Sequence, residues 1–157
     1  MVCLFSYLLF NFNLTKMANL NNRWEQIEYA PKAASTLFNA GYFISYDGSG
    51  GVIPAQSASL YGSATKILGQ ILENITAADP DFTSNRQVGF QKALTFQFYC
   101  GVVNGPALAS MVGSLFDVDG TDPSLVDLGG GGTQLKVVAV LSPTLVVVEA
   151  AEVEPIN

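Results

Sequence analysis

The sequence predicts a mainly β chain: a compact β-barrel or β-sandwich-like domain with an extended N-terminal arm and at most one or two short helices. Three observations lead there. The Val-rich runs 136–141 and 144–149 meet at Ser142-Pro143, residues 94–100 alternate apolar with polar, and Gly-rich turns separate short apolar segments. At 157 residues the chain fits one domain, with a single hydrophobic centre expected.

Residues 1–16 read as an upstream extension or a signal-like segment. Their apolar run, about fourteen residues, is shorter than the roughly 20 a membrane span needs. A signal peptide would want a basic start and a small-residue cleavage site, and neither is present. A start at Met17, where the chain turns polar, is the expected alternative. Residues 17–36 are polar with scattered anchors, Trp24, Ile27 and Tyr29, ahead of Pro31, and read as an extended arm that needs something to lie on.

Residues 37–150 are expected to form the β-rich domain. Leu37–Tyr46 is aromatic and β-prone, and Asp47-Gly48-Ser49-Gly50-Gly51 predicts a hairpin into Val52-Ile53-Pro54. Residues 63–75 fit a helical stripe (Ile67, Leu68, Ile71, Leu72, Ile75) or a buried strand, and Gly69 with the isoleucines tips the reading to strand. A turn follows at 77–81. Leu94, Phe96, Phe98 and Cys100 then share one strand face, with Thr95, Gln97 and Tyr99 on the other. Residues 104–116 suit a short helix or a broken strand. The two Val-rich runs form a hairpin expected to be buried on both faces. Gly129 to Gly132 predict a mobile loop, and 151–157 an acidic, solvated tail.

Composition narrows the function. Apolar residues make up 49% and charged residues 13%, against about 25% charged in typical domains, so part of the surface is expected to be covered by partners. There is no histidine, which removes the commonest general base and metal ligand. The net charge of −6 is uneven, with only Lys136 against seven acids beyond residue 100. No basic footprint exists for a phosphate backbone, so nucleic acid is not an expected partner, nor is a membrane. Cys3 and Cys100 lie in dissimilar segments; Cys100 is expected to be a buried free thiol, and no disulfide framework is indicated.

One segment invites a catalytic reading. Ser114 to Thr121 (SLFDVDGT) resembles the nucleophile motif of haloacid dehalogenase-type phosphatases, which implies Asp117 as nucleophile and Asp119 as proton carrier beside Mg²⁺. Only 36 residues follow Thr121, mostly the Val-rich hairpin, so the later motifs have no room. Calcium is the softer alternative for Asp117, Asp119, Asp122 and Asp127, and a solvated surface turn the plain one. The glycine run lacks the Lys-Ser/Thr pair of a phosphate-binding loop, Cys100 has no histidine to activate it, and the sequons at Asn13 and Asn74 read as chance. No catalytic residue, cofactor or metal is assigned.

The stretches AGYFISYDGSGGVIPA, ILGQILENITAADPDFTSNRQVGFQ, VGSLFDVDG and KVVAVLSPTLVVVEA together resemble the small decoration, or cement, proteins of tailed-bacteriophage capsids. The resemblance implies a virion protein on the outer surface of the head, bound to the major capsid protein as a homo-oligomer, with a trimer favoured, and an arm from Ala18 to Thr36 lying across a neighbouring subunit. Candidate interface residues are Trp24, Ile27, Tyr29, Tyr42, Phe43 and Tyr46, with filling of the core the preferred reading for Tyr42, Phe43 and Phe96. The competing expectations are a secreted or surface β-domain for adhesion and an Mg-dependent phosphatase.

Overall fold

A computed structural model describes residues 27–56, 66–93 and 97–151. The chain is mainly β, as its sequence predicts, and is built from a five-stranded sheet and a closed five-stranded barrel. The sheet comes from the first half: β1 (Ile27–Pro31), β2 (Phe43–Tyr46), β3 (Val52–Pro54), β4 (Gly69–Ile71) and β5 (Gln87–Lys92), in the order β1-β5-β4-β2-β3. The barrel comes from the second: β6 (Phe98–Val103), β7 (Leu115–Val118), β8 (Leu125–Asp127), β9 (Leu135–Ser142) and β10 (Leu145–Ala150), closing as β10-β6-β8-β7-β9.

Every sheet pairing is antiparallel. The β2–β3 hairpin forms where expected. Asp47 Oδ1 accepts the amide hydrogens of Ser49 and Gly51 at 2.7 and 3.0 Å, and Gly48 and Gly50 take the positive φ the turn demands, 81° and 92°. Residues 63–75 resolve toward strand in their described part, through β4 and an isolated bridge from Ile75 to Phe38. Gly69 is required there. A Cβ would fall 1.9 Å from the carbonyl oxygen of Gln91 on β5.

In the barrel, β6 keeps the predicted alternation: Phe98 and Cys100 are buried and Tyr99 is exposed, while Leu94 and Phe96 lie outside the described residues. Residues 104–116 become a 3-10 turn (Ala109–Met111) leading into β7. The Val-rich hairpin is β9–β10, but it is not buried on both faces. Its inward residues Val137, Val146 and Val148 are sealed, whereas Leu141 and Leu145 are exposed. The pairing register leaves Val138 and Leu141 unmatched on β9, two bulges that bend the strand around the barrel.

Two further expectations are corrected. Residues 27–31 lie within the predicted arm, yet they form β1 and pair with β5 of the same chain from Ile27↔Gln91 to Pro31↔Gln87. Hydrogen bonding to a strand of its own domain removes the need for a foreign surface under this part of the chain. The core also has two centres where one was expected. Phe38, Ile44, Leu68, Ile71, Val88 and Phe90 fill one side of the sheet, and a second cluster fills the barrel.

The second cluster joins the two parts. Phe43, Ala55, Ile67 and Ala93 of the sheet region pack with Phe98, Val118, Leu135 and Val146 of the barrel. The Phe43 ring meets Phe98 edge-on, with centroids 5.5 Å apart, and the Phe43 amide donates to the Pro123 carbonyl at 2.9 Å. Gln134, almost fully buried, donates from Nε2 to the Gln56 carbonyl at 2.7 Å and accepts the Val118 amide hydrogen at Oε1 at 3.0 Å. Its amide thus satisfies main-chain groups of both parts inside an otherwise apolar seam.

Candidate functional site

The four aspartates singled out from the sequence lie on one side of the barrel, on β7, on β8 and in the turn between them. Short polar side chains there hydrogen-bond the main chain of their own turns. Asp119 Oδ2 accepts the amide hydrogens of Thr121 and Asp122 at 3.0 and 2.7 Å, and Asp122 Oδ1 accepts the amide and hydroxyl of Ser124 at 3.0 and 2.6 Å. Asp117 and Asp127 face each other across the β7–β8 ladder. Asp117 Oδ1 takes the Thr133 amide at 2.8 Å, and Asp127 Oδ1 takes the Gly129 amide at 2.8 Å and Asn104 Nδ2 at 2.9 Å.

These carboxylates are brought into one region but are spent on two loops, Asp119 and Asp122 on the β7–β8 turn and Asp117 and Asp127 on the β8–β9 loop. Among the described residues, no three of His, Cys, Asp and Glu are grouped so as to hold a metal ion. The glycine run is anchored at its far end rather than uniformly loose. Gly132 donates to the Leu115 carbonyl, and a Cβ on it would fall 2.2 Å from the Asp117 nitrogen, so only glycine lets the loop lie on β7.

Cys100 points into the barrel as a free, buried thiol, with Gln70 Nε2 4.0 Å from its sulfur. Burial pushes its pKa up to about 12, which withholds the thiolate that nucleophilic chemistry needs. The Asn74 sequon has its asparagine on an exposed turn, where Oδ1 accepts the Ala40 amide hydrogen at 2.8 Å.

In the sheet the charges are consumed by structure. Arg86 lies 2.8 Å from both Glu73 and Asp81; the Glu73 hydrogen bond, with Coulomb attraction from both acids, raises the guanidinium above its ordinary pKa against the cost of burial. Lys92 pairs with Glu28 at 2.5 Å. Lys32 is fully buried: its ammonium donates to the Phe82 and Ser84 carbonyls, both at 2.6 Å, and sits 5.6 Å from the centre of the Phe82 ring. Nothing in the sequence distinguished Lys32 from a surface lysine, because its burial depends on the 79–86 turn folding over it.

The candidate interface residues separate sharply. Phe43 is sealed in the seam between the sheet and the barrel, so it is withdrawn as an anchor. Tyr42 and Tyr46 are partly buried against the sheet core, and Tyr42 accepts a hydrogen bond from Asn39. Tyr29 is 69% exposed and Ile27 half-buried on β1, one of the two edge strands of the sheet. Both lie over Gly89 of β5, which offers no side chain of its own, so the Tyr29 ring stands as a raised apolar feature. Trp24 lies outside the described residues.

Other exposed apolar groups were missed: Leu37 and Leu72 beside the sheet, and Tyr99, Leu108, Val112, Leu115, Leu141 and Leu145 on the barrel. Alternation along β6 could have flagged Tyr99, but bulges shift β9 and hide Leu141. Among the described residues no helix is long and apolar enough to cross a membrane. No protein-family model matches the chain, and a search of curated protein sequences finds no match either.

Proposed function

We propose that this chain is a non-enzymatic virion structural protein, a decoration protein that binds the outer surface of a tailed-phage capsid as a homo-oligomer, with a trimer favoured, and braces it. One observation carries the reading: the polar groups that chemistry would require are engaged in holding the chain's own turns, while large apolar side chains stand exposed. Asp117, Asp119, Asp122 and Asp127 each accept main-chain amides, whereas Tyr29 presents its ring on the edge strand β1. Aromatic groups set among few charges suit the centre of a protein interface.

In this reading Tyr29 and Ile27 contact the major capsid protein, and Trp24 of the preceding segment is a further candidate contact. The test heats phage heads with and without the bound chain and measures DNA release. Release at a higher temperature with the chain supports bracing, and release at the same temperature in both contradicts it. Tyr29→Ser, on an exposed position, is expected to weaken head binding about tenfold or more while leaving the fold intact.

A further inference from the structure

The outside of the barrel is divided by charge. Strands β6 and β10 up to Val148, and β9 beyond Lys136, carry no charged residue, and the single Lys136–Glu149 pair, 3.2 Å apart, marks the limit of this face. The barrel's four aspartates lie on β7, β8 and their turn. Because the barrel runs β10-β6-β8-β7-β9, the neutral surface is one continuous strip of three strands, β6-β10-β9, centred on β10.

Register shows which side chains share that strip, since paired residues in an antiparallel ladder point to the same side. Val147 pairs with Tyr99 on β6 and with Ala139 on β9, and Leu145 pairs with Gly101. The alternate residues Val146, Val148 and Cys100 fill the interior, so Tyr99 and Leu145 present accessible surface on the outer side, while Val147 between them is only 7% exposed. Tyr99 is 66% exposed and the bulged Leu141 53%, with Leu145 beside them.

We propose that this strip is the surface through which copies of the chain associate with one another. The occupant follows from charge. The chain carries −6, its barrel aspartates lie on the opposite strands, Glu149 at the limit of the strip is paired with Lys136, and two like-charged copies approach at least Coulomb cost through the face that holds no unpaired acid. The neutral, Tyr- and Leu-bearing strip also has the composition of the core of a homomeric interface. The inference deepens the decoration reading, since it takes from it that copies associate, but it concerns a surface separate from Tyr29.

Light scattering of the full chain on a sizing column, at about 50 μM, within the micromolar range of weak assemblies, tests it. The wild type is expected to be an oligomer. Tyr99→Glu combined with Leu145→Glu sets like charges against each other and is expected to weaken association about a hundredfold or more, giving monomer. Tyr29→Glu is expected to keep the wild-type mass. Should the double variant fail to fold by circular dichroism, Leu141→Lys on the exposed hairpin end is held to the same criterion. A monomeric wild type, or a folded strip variant with unchanged mass, overturns the inference. Co-sedimentation with heads separates the two proposals: a monomer that binds heads removes only the self-association surface, and an oligomer that ignores heads removes only the decoration role.

Discussion

The sheet and the barrel are similar in strand number and opposite in how they treat charge. In the sheet, basic groups meet acids or carbonyls of neighbouring segments, as Arg86 does with Glu73 and Asp81, Lys92 with Glu28, and Lys32 with two carbonyls. In the barrel the aspartates hold the loops on one side, and the other side, up to the Lys136–Glu149 pair, is left neutral and apolar. Long-range polar contacts make the sheet self-sufficient. A barrel whose polar contacts are mostly local can spare a whole face for a partner.

The largest expected effect breaks the seam between the two. Phe43→Ala removes the ring that packs on Phe98 and should cost about 4 kcal/mol in urea unfolding. Amide exchange is expected to rise in β2 and β6 together, because the ring belongs to both regions; a rise in the sheet alone would show two independent units.

Gly69→Ala acts inside the sheet. Its methyl would meet the Gln91 carbonyl of β5, a main-chain atom that cannot swing away, so a loss of about 3 kcal/mol is expected, with exchange rising first across β4 and β5. Lys32→Met tests whether the buried ammonium holds the 79–86 turn. The Ser84 carbonyl loses this donor, and a destabilisation of about 2 kcal/mol is expected in thermal melts, whereas a neutral outcome would make Lys32 a filler.

The effect with no expression at neutral pH belongs to the barrel interior and appears only in alkali. Cys100 titrates near 9.0 when free of burial and about 12 in the fold, so the folded chain holds the thiol proton that the unfolded chain releases. Stability from this group is complete below pH 9.0 and is lost as pH rises toward 12, by about 1 kcal/mol per pH unit. Cys100→Ala should flatten that part of the stability curve relative to wild type, and parallel curves would show that the thiol is not shielded.

Much of this architecture was legible from short-range pattern. Alternation placed Phe98 and Cys100 inward, the Asp47 turn announced the β2–β3 hairpin, and the paired Val-rich runs announced β9–β10. What escaped depended on distant partners. β1 carries Pro31 and few apolar residues and reads as an arm until β5 is beside it; β5 itself is diluted by Gly89 and glutamines; β8 is three residues long. The candidate anchors show the same limit. Phe43 and Tyr29 are both aromatics in short β segments, and only the docking of the barrel onto one end of the sheet buries the first and leaves the second exposed.

The proposed role is to act by covering surface. Mixing the purified full chain with phage heads stripped of it, and pelleting the heads, tests that most directly. Saturable binding in a fixed ratio to the major capsid protein is predicted, reduced by Tyr29→Ser. A chain that stays in the supernatant at every concentration would contradict it.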